Sequence, residues 1–316
     1  MSSPTHSVSP LSQLNYRHVD ISVSTNSELI EDIKTAKLNK DQVHLLTADT
    51  QTAGRGQRAR SWQSPRGNVY LSLYHPMQEA VSGLLSLIVG VELAKMPVIK
   101  TLNKQLSAQG LMPIGVKWAN DLGFYQPKGL TDNTSQTNET ILFNKLAGIL
   151  IEPVWQAGKL IGVVMGVGLN VQTTPKLTAE TLEGMSYQAL SLQDIHNQLN
   201  LDNQEIKLPS LQTLYQQIST ALLAAITCFK EIAVEKVVTQ HIYLSTQATD
   251  EFLRQFATLD ALAGWDLRIT QTHNDSFEVQ EGKSCGIDTN GCLQLQQDNG
   301  KISTLFTGRI DVINDR

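Results

Sequence analysis

Five short apolar runs, separated by glycine and polar turns, constrain this chain more than any other feature. Val43-His44-Leu45-Leu46, Asn68 to Leu73, Ile114 to Trp118, Leu146 to Glu152 and Leu160 to Val171 have the length and branching of buried strands. Segments of helical period accompany them. Thr25-Asn26-Ser27-Glu28 has capping-box spacing and precedes Leu29, Ile30 and Ile33 on one face, which predicts a helix start. Glu79–Lys95 predicts another helix, and Leu211–Ile232 a third, with Leu211, Leu214, Ile218, Leu222, Ile226 and Phe229 recurring at helical spacing. The pattern predicts a mixed α/β core. After Asp260 it changes to short alternating runs with two Asn-Gly turns, Asn290-Gly291 and Asn299-Gly300. Those turns predict tight hairpins and a small β-barrel-like domain of roughly fifty residues.

The 316 residues leave room for one large domain and one small one. Met1 to Asn15 is rich in Ser, Pro and Thr, without the basic and apolar regions of a signal or transit peptide, and is expected to be a disordered tail. Thr131 to Thr140 has no apolar residue and is expected to be a solvated insertion between core strands. The most apolar window, Leu84 to Ala94, is shorter than the ~20 residues of a membrane span and is expected to be a buried helix. Cys228, Cys285 and Cys292 are odd in number and lack metal-ligand spacing, which points to reduced thiols in a cytoplasmic protein and away from structural zinc. Gly282-Lys283-Ser284 echoes the end of a P-loop, but Phe277 stands where its first glycine belongs.

The chemistry is concentrated between Gly54 and Gly67. From Thr50 to Gln78 the only charged side chains are four arginines, in a chain of net charge -5. A positive field this local suits an anion. Guanidinium forks match phosphate or carboxylate oxygens in pairs, glycines allow close backbone approach, and Trp62 offers a flat face for an adenine ring. Taken alone, the same loop is also what a solvated arginine-rich turn looks like.

Three later segments narrow the choice: Gly115-Val116-Lys117-Trp118-Ala119-Asn120-Asp121-Leu122, Asn144-Lys145-Leu146-Ala147-Gly148-Ile149-Leu150-Ile151-Glu152, and Gly166-Val167-Gly168-Leu169-Asn170-Val171. With Ser24-Thr25-Asn26 upstream, their order and spacing resemble the biotin protein ligases, short form, from about Ser24 to the C-terminus. That family carries a G-R-G-R-x-G-R-x-W loop, then K-W-P-N-D, K-x-x-G-I-L-x-E and G-x-G-x-N. The resemblance implies a mixed-sheet α/β (α+β) catalytic domain of the biotin/lipoate ligase type, related to class II synthetases, plus a C-terminal SH3-like β-barrel. The implied boundaries are a tail over 1–19, a catalytic domain over 20–259 with a polar insertion at 126–143, and the small domain over 260–316.

What the resemblance implies chemically is activation of biotin by ATP to biotinyl-5′-adenylate, then transfer to a lysine of the biotin carboxyl carrier protein of acetyl-CoA carboxylase. Lys145, Arg55, Arg58 and Asp121 are the implied catalytic residues. Ser24, Thr25, Asn26, Gln51, Gly54, Arg55 and Gly148 resemble the biotin pocket. Gln57, Arg58, Arg60, Trp62, Lys117, Asn120, Lys145 and Asn170 resemble the adenylate site. Mg²⁺ is implied on the ATP phosphates, with Asp121 a candidate metal ligand or an organiser of the attacking lysine. Asp121 also fits a structural cap after a strand, and Lys117 a solvated strand-end lysine.

The chain departs from the family at Gln57, where a second arginine is usual, at Ala59 for glycine and at Ala119 for proline. Loss of one charged donor near phosphate typically removes roughly 1.5–3 kcal/mol, so the adenylate is expected to be held less tightly unless Arg58 or Arg60 substitutes. Arg309 stands where bacterial relatives often carry glutamate, which puts a salt bridge from that domain to the arginine loop in doubt. Only about twenty residues precede Ser24 and the pI is acidic, so DNA binding is not expected. A lipoate-type ligase and a biotin or adenylate binder without transfer activity are the alternatives. Monomer and homodimer stay open.

Overall fold

The computed structural model describes residues 14–126, 140–178, 182, 185–199, 207–239, 247–273 and 276–313. Of the expected tail and polar insertion, residues 1–13 and 127–139 lie outside these. Residues 15–19, expected to be tail, belong to strand β1 (Asn15–Ser22), which pairs in parallel with β2 (His44–Gln51). The main sheet continues with β3 (Val69–Pro76), β4 (Gly115–Lys117) and β5 (Asp121–Tyr125). It is completed by β7 (Phe143–Gln156), β8 (Lys159–Leu169) and β9 (Tyr187–Ala189), and β6 (Thr140–Ile141) leaves it for a second sheet. The order is β1-β2-β3-β8-β7-β5-β4, with β9 alongside β7. Pairs β1/β2 and β7/β9 are parallel and the rest antiparallel, as a mixed sheet requires.

Side chains alternate across this sheet because successive strand residues point to opposite faces. Leu45, Leu71, Leu73, Val163, Met165 and Val167 enter the main core. Helices α2 (Gly83–Ala94), α3 (Pro97–Ala108), α5 (Leu211–Thr239) and α6 (Gln247–Leu259) contribute to that core. Leu46, Tyr74, Val154 and Val164 face the other way, against Leu29 and Ile33 of α1 (Thr25–Lys34). The short α4 (Leu192–Gln198) carries a capping box, Ser191 with Asp194. By length and composition Leu211–Val234 within α5 could cross a membrane. Its apolar stripe, Leu214, Ile218, Leu222, Ile226 and Phe229, is instead buried in the core.

Two expectations are corrected. Helix α1 begins at Thr25, with Ser24 at the N-cap and no side-chain cap bond. The expected box at Thr25 fails because the Thr25 amide donates to Gln51 Oε1 at 2.9 Å, and Glu28 accepts from Ser22 Oγ instead of turning back to the cap. The C-terminal strands form no SH3-like barrel. Strands β10 (Asp266–His273), β11 (Ser276–Ile287), β12 (Leu293–Gln296), β13 (Ile302–Leu305) and β14 (Arg309–Ile313) make an open sheet, β13-β12-β11-β10-β14-β6. Closure would need β14 to turn toward β13, but its second edge is taken by β6, Val312 opposite Ile141. The apolar residues of this sheet, among them Leu267, Leu293, Leu295 and Val312, join the main core instead of lining an interior of their own. The two Asn-Gly hairpins do form, with Gly291 and Gly300 at φ 79° and 80°.

Candidate active site

On the α1 face of the main sheet, between β3, β8 and β7, side chains give way to glycines. Gly148 of β7 pairs with Gly168 of β8, and Gly166 of β8 lies opposite Leu150 and Ser72, so these three positions of the floor carry no Cβ atom. A cavity of about 300 Å³ opens above them. A Cβ on Gly166 would stand 2.2 Å from Asn26 Oδ1, and one on Gly168 2.5 Å from Trp62 Cε2. The floor is glycine because two side chains already rest on it.

At one end the cavity meets the N-terminus of α1. Ser24, Thr25 and Asn26 are each buried and line it. Gln51 Oε1 accepts from the Thr25 amide, and Ser72 Oγ reaches both Thr25 Oγ1, at 2.7 Å, and Asn26 Oδ1, at 2.5 Å. Asn26 Nδ2 donates to the Leu150 carbonyl and to Glu152 Oε2 at 2.8 Å. Gly54 does not reach the cavity. It packs against the far side of its own loop, where a Cβ would stand 2.5 Å from the Trp62 carbonyl oxygen.

The arginine loop folds over the cavity and is pinned at several points. Arg55 Nη2 donates to Glu152 Oε2 at 2.7 Å, the oxygen that also holds Asn26. Arg58 takes a left-handed backbone, φ 57°, and donates to Thr307 Oγ1 of the C-terminal segment. Arg60 Nη1 lies 2.7 Å from Met185 Sδ. Gln57 lines the cavity without charge. Trp62 lies over Gly148 and Gly168, with its Nε1 buried and without a hydrogen-bond partner among the described residues.

At the other end stand the lysines. Lys145 Nζ lies 2.8 Å from Asp121 Oδ1, 5.4 Å from the Trp62 ring centre and 5.1 Å from that of Tyr187. Lys117 is not a solvated strand-end lysine. It is 5% exposed, with Nζ 4.7 Å from the Phe143 ring centre, and burial pushes its pKa down to about 8, opposed by Asp121 and reinforced by Lys145. Asn120 lines the cavity while its amide donates to the Ile149 carbonyl at 2.9 Å, tying this turn to β7. The preceding Trp118–Ala119 peptide is cis. Asn170 stands apart from the main cavity. It lines a small adjoining space with Trp62, Lys145, Pro175, Leu177 and Tyr187, and its Oδ1 is buried without a hydrogen-bond partner among the described residues.

Sequence reasoning missed Met185 and Tyr187, the latching role of Glu152, and Phe306, Thr307, Gly308 and Ile310, which close one wall with Arg309, a residue singled out from the sequence only for a salt bridge in doubt. Glu152 was visible as the last residue of the Lys145 motif. The other residues carry no local signal, because distant chain segments bring them to the cavity. Among the described residues no salt bridge links the C-terminal sheet to the loop through position 309; Arg58 contacts Thr307 instead.

Residues 20–170 match the model of the Biotin/lipoate A/B protein ligase family. The bifunctional ligase/repressor BirA of Escherichia coli is 27% identical over 292 residues, covering 92% of this chain and 71% of that protein. Its counterpart in Salmonella typhimurium aligns to the same extent. Among solved structures, a biotin protein ligase from Aquifex aeolicus in complex with biotin and ATP superposes with a TM-score of 0.57 at 18% identity. That match covers 94% of this chain and 97% of the other, and it bears on the fold alone.

Proposed function

We propose that this chain, whose residues 20–170 match the Biotin/lipoate A/B protein ligase family, joins biotin to ATP as biotinyl-5′-adenylate and transfers biotin to a lysine of a biotin carboxyl carrier domain. The observation that carries this reading is the charge balance of the cavity. Arg55, Arg58, Arg60, Lys117, Lys145 and Arg309 line it against one carboxylate, Asp121. Such a wall suits a reaction in which two anions, a carboxylate and a triphosphate, must be brought into contact.

In this reading the Ser24, Thr25, Asn26 and Gln51 cluster binds the polar head of biotin, and its carboxylate extends through the cavity toward Lys145, with Arg55 of the loop closing over it. A carboxylate oxygen attacks the α-phosphorus and pyrophosphate leaves. Lys145, oriented by Asp121, stabilises charge on the α-phosphate, as a positioned cation does in phosphoryl transfer. Adenine stacks on Trp62, and the buried Nε1 of Trp62 and Oδ1 of Asn170 are a donor and an acceptor beside it. Mg²⁺ fits as an ion carried on the ATP phosphates. Asp121, the carboxylate that lines the cavity and pairs with Lys145, would hold it there, and the ion would neutralise phosphate charge. In the second step the carrier's lysine amine attacks the mixed anhydride carbonyl and AMP leaves, with no covalent enzyme intermediate. The arginine loop over the floor keeps water from the anhydride. A cytoplasmic location fits three cysteines that form no disulfide among the described residues.

Biotin-dependent exchange of labelled pyrophosphate into ATP tests the first step. The reading predicts exchange with biotin that falls at least a hundredfold in Lys145→Met, a loss the size of a transition-state charge contact. Exchange without biotin, or none at all, would defeat it.

A further inference from the structure

One cation on the cavity wall comes from the far end of the chain. Arg309 opens β14 and lines the cavity with Thr307 and Gly308. The backbone before it is fixed. Gln271 Nε2 donates to the Thr307 carbonyl at 2.8 Å, and Gly308 presses so closely on β10 that a Cβ there would stand 2.6 Å from Ile269 Cγ2. The side chain is fixed as well. Its Nε and Nη2 donate to Asp311 Oδ2 at 3.1 and 3.0 Å, and the other Asp311 oxygen accepts from Ser186 Oγ at 2.7 Å. Asp311 is 5% exposed, whereas 45% of the Arg309 side chain is accessible. A buried carboxylate thus orients one edge of a guanidinium whose remaining donors meet no partner among the described residues and can face a ligand.

The same wall holds a second guanidinium. Arg58 donates to Thr307 Oγ1, two residues before Arg309, and has no carboxylate partner among the described residues. The cations over the floor are differently engaged, Arg55 with Glu152 and Lys145 with Asp121. ATP carries most of its negative charge on the β- and γ-phosphates, so the wall with Arg58 and Arg309 is the one suited to them.

We propose that Arg309, oriented by Asp311, forms with Arg58 a binding site for the pyrophosphate portion of ATP, supplied by the C-terminal sheet. The proposal rests on the ligase reading but concerns one part of the substrate. Arg309 adds the charged donor that Gln57 does not provide, and holds the leaving pyrophosphate away from the glycine floor.

Titration calorimetry with inorganic pyrophosphate tests this on the full chain. Binding should weaken roughly ten- to a hundredfold in Arg309→Ala, as expected for a charged hydrogen bond, and recover in part in Arg309→Lys. Biotin affinity should stay within twofold, and far-ultraviolet circular dichroism should report an intact fold. If wild-type protein makes biotinyl-adenylate while Arg309→Ala binds pyrophosphate as tightly as wild type, the anion site is wrong and the ligase reading stands. If pyrophosphate binding depends on Arg309 but no adenylate forms, the ligase reading fails and the site stands. Wild-type protein that binds no pyrophosphate overturns the site.

Discussion

Two single-methyl substitutions should separate the halves of the cavity. Gly166 and Gly168 are two residues apart on β8 and face the same side. Each is hydrogen-bonded into strands on both flanks, Gly166 opposite Ser72 and Leu150, Gly168 opposite Tyr70 and Gly148, so the backbone cannot recede. In Gly168→Ala the new methyl would lie 2.5, 2.6 and 2.7 Å from three indole atoms of Trp62. Ordinary carbon contacts fall near ~3.5–4.0 Å, so the ring must rise by about 1 Å from the place where adenine is proposed to stack. In Gly166→Ala the methyl meets Asn26 Oδ1 at 2.2 Å and displaces a side chain held by Ser72, Leu150 and Glu152. Overpacking of this kind costs about 1–3 kcal/mol, or roughly 5- to 150-fold in affinity. Calorimetric titration of each variant with biotin and with ATP should show Gly166→Ala losing mainly biotin affinity and Gly168→Ala mainly ATP affinity. Equal losses for both ligands in both variants, or the opposite assignment, would refute the two-ended cavity.

Glu152 couples the α1 end of the cavity to the arginine loop, since one oxygen holds Asn26 and Arg55. Glu152→Gln keeps an acceptor but removes the charge, worth about 1 kcal/mol for this partly exposed pair, so labelled adenylate should leave about fivefold faster in a chase. An unchanged release rate would show that the loop is latched elsewhere. Lys117, with a pKa near 8 against an ordinary 10.5, binds its proton less readily in the folded chain than in the unfolded one. Stability should therefore rise by up to about 3 kcal/mol between pH 8 and 10.5; urea unfolding of wild type and Lys117→Met checks this, and a slope that persists in the variant would rule Lys117 out as its source. Asp260 works in the opposite sense, because burial raises its pKa from 3.8 to about 6. Its contribution should fade as pH rises from about 4 to 6, and Asp260→Asn, which keeps an acceptor for the Leu262 amide, should be the more stable protein at pH 7. A melting temperature at or below wild type would count against that burial penalty.

Much of the main sheet is legible because its strands are buried on both faces and its turns are glycines. The apolar runs from Asn68, Leu146 and Leu160 coincide largely with β3, β7 and β8, although Asn68 precedes β3, Asn170 and Val171 follow β8, and β7 extends from Phe143 to Gln156 and outruns the apolar signal at each end. Helix α3 escaped the sequence reading. Its buried residues Val98, Ile99, Leu102 and Leu106 form a sparse stripe among polar neighbours. The C-terminal sheet failed differently. Alternation and Asn-Gly turns specify hairpins, but whether hairpins close into a barrel depends on which edges find partners, and β6 comes from about 170 residues upstream of β14. In the site, residues within one motif were legible as a group, Ser24 to Asn26, Arg55 to Trp62 and Lys117 to Asp121. What the motifs could not convey was the company each residue keeps. Lys117 is buried against Phe143, Gly54 packs against the far side of its own loop, Asn170 lines a side space, and Arg309 reaches the cavity from the last strand.

The most direct test is ATP-dependent transfer of biotin onto a purified biotin carboxyl carrier domain, with lipoate and a lipoyl domain in parallel, read by mass spectrometry of the acceptor lysine. The account predicts a biotin-sized mass gain on the carrier domain, lost in Lys145→Ala, and no gain with lipoate. Biotin binding without transfer, or transfer of lipoate in its place, would contradict it.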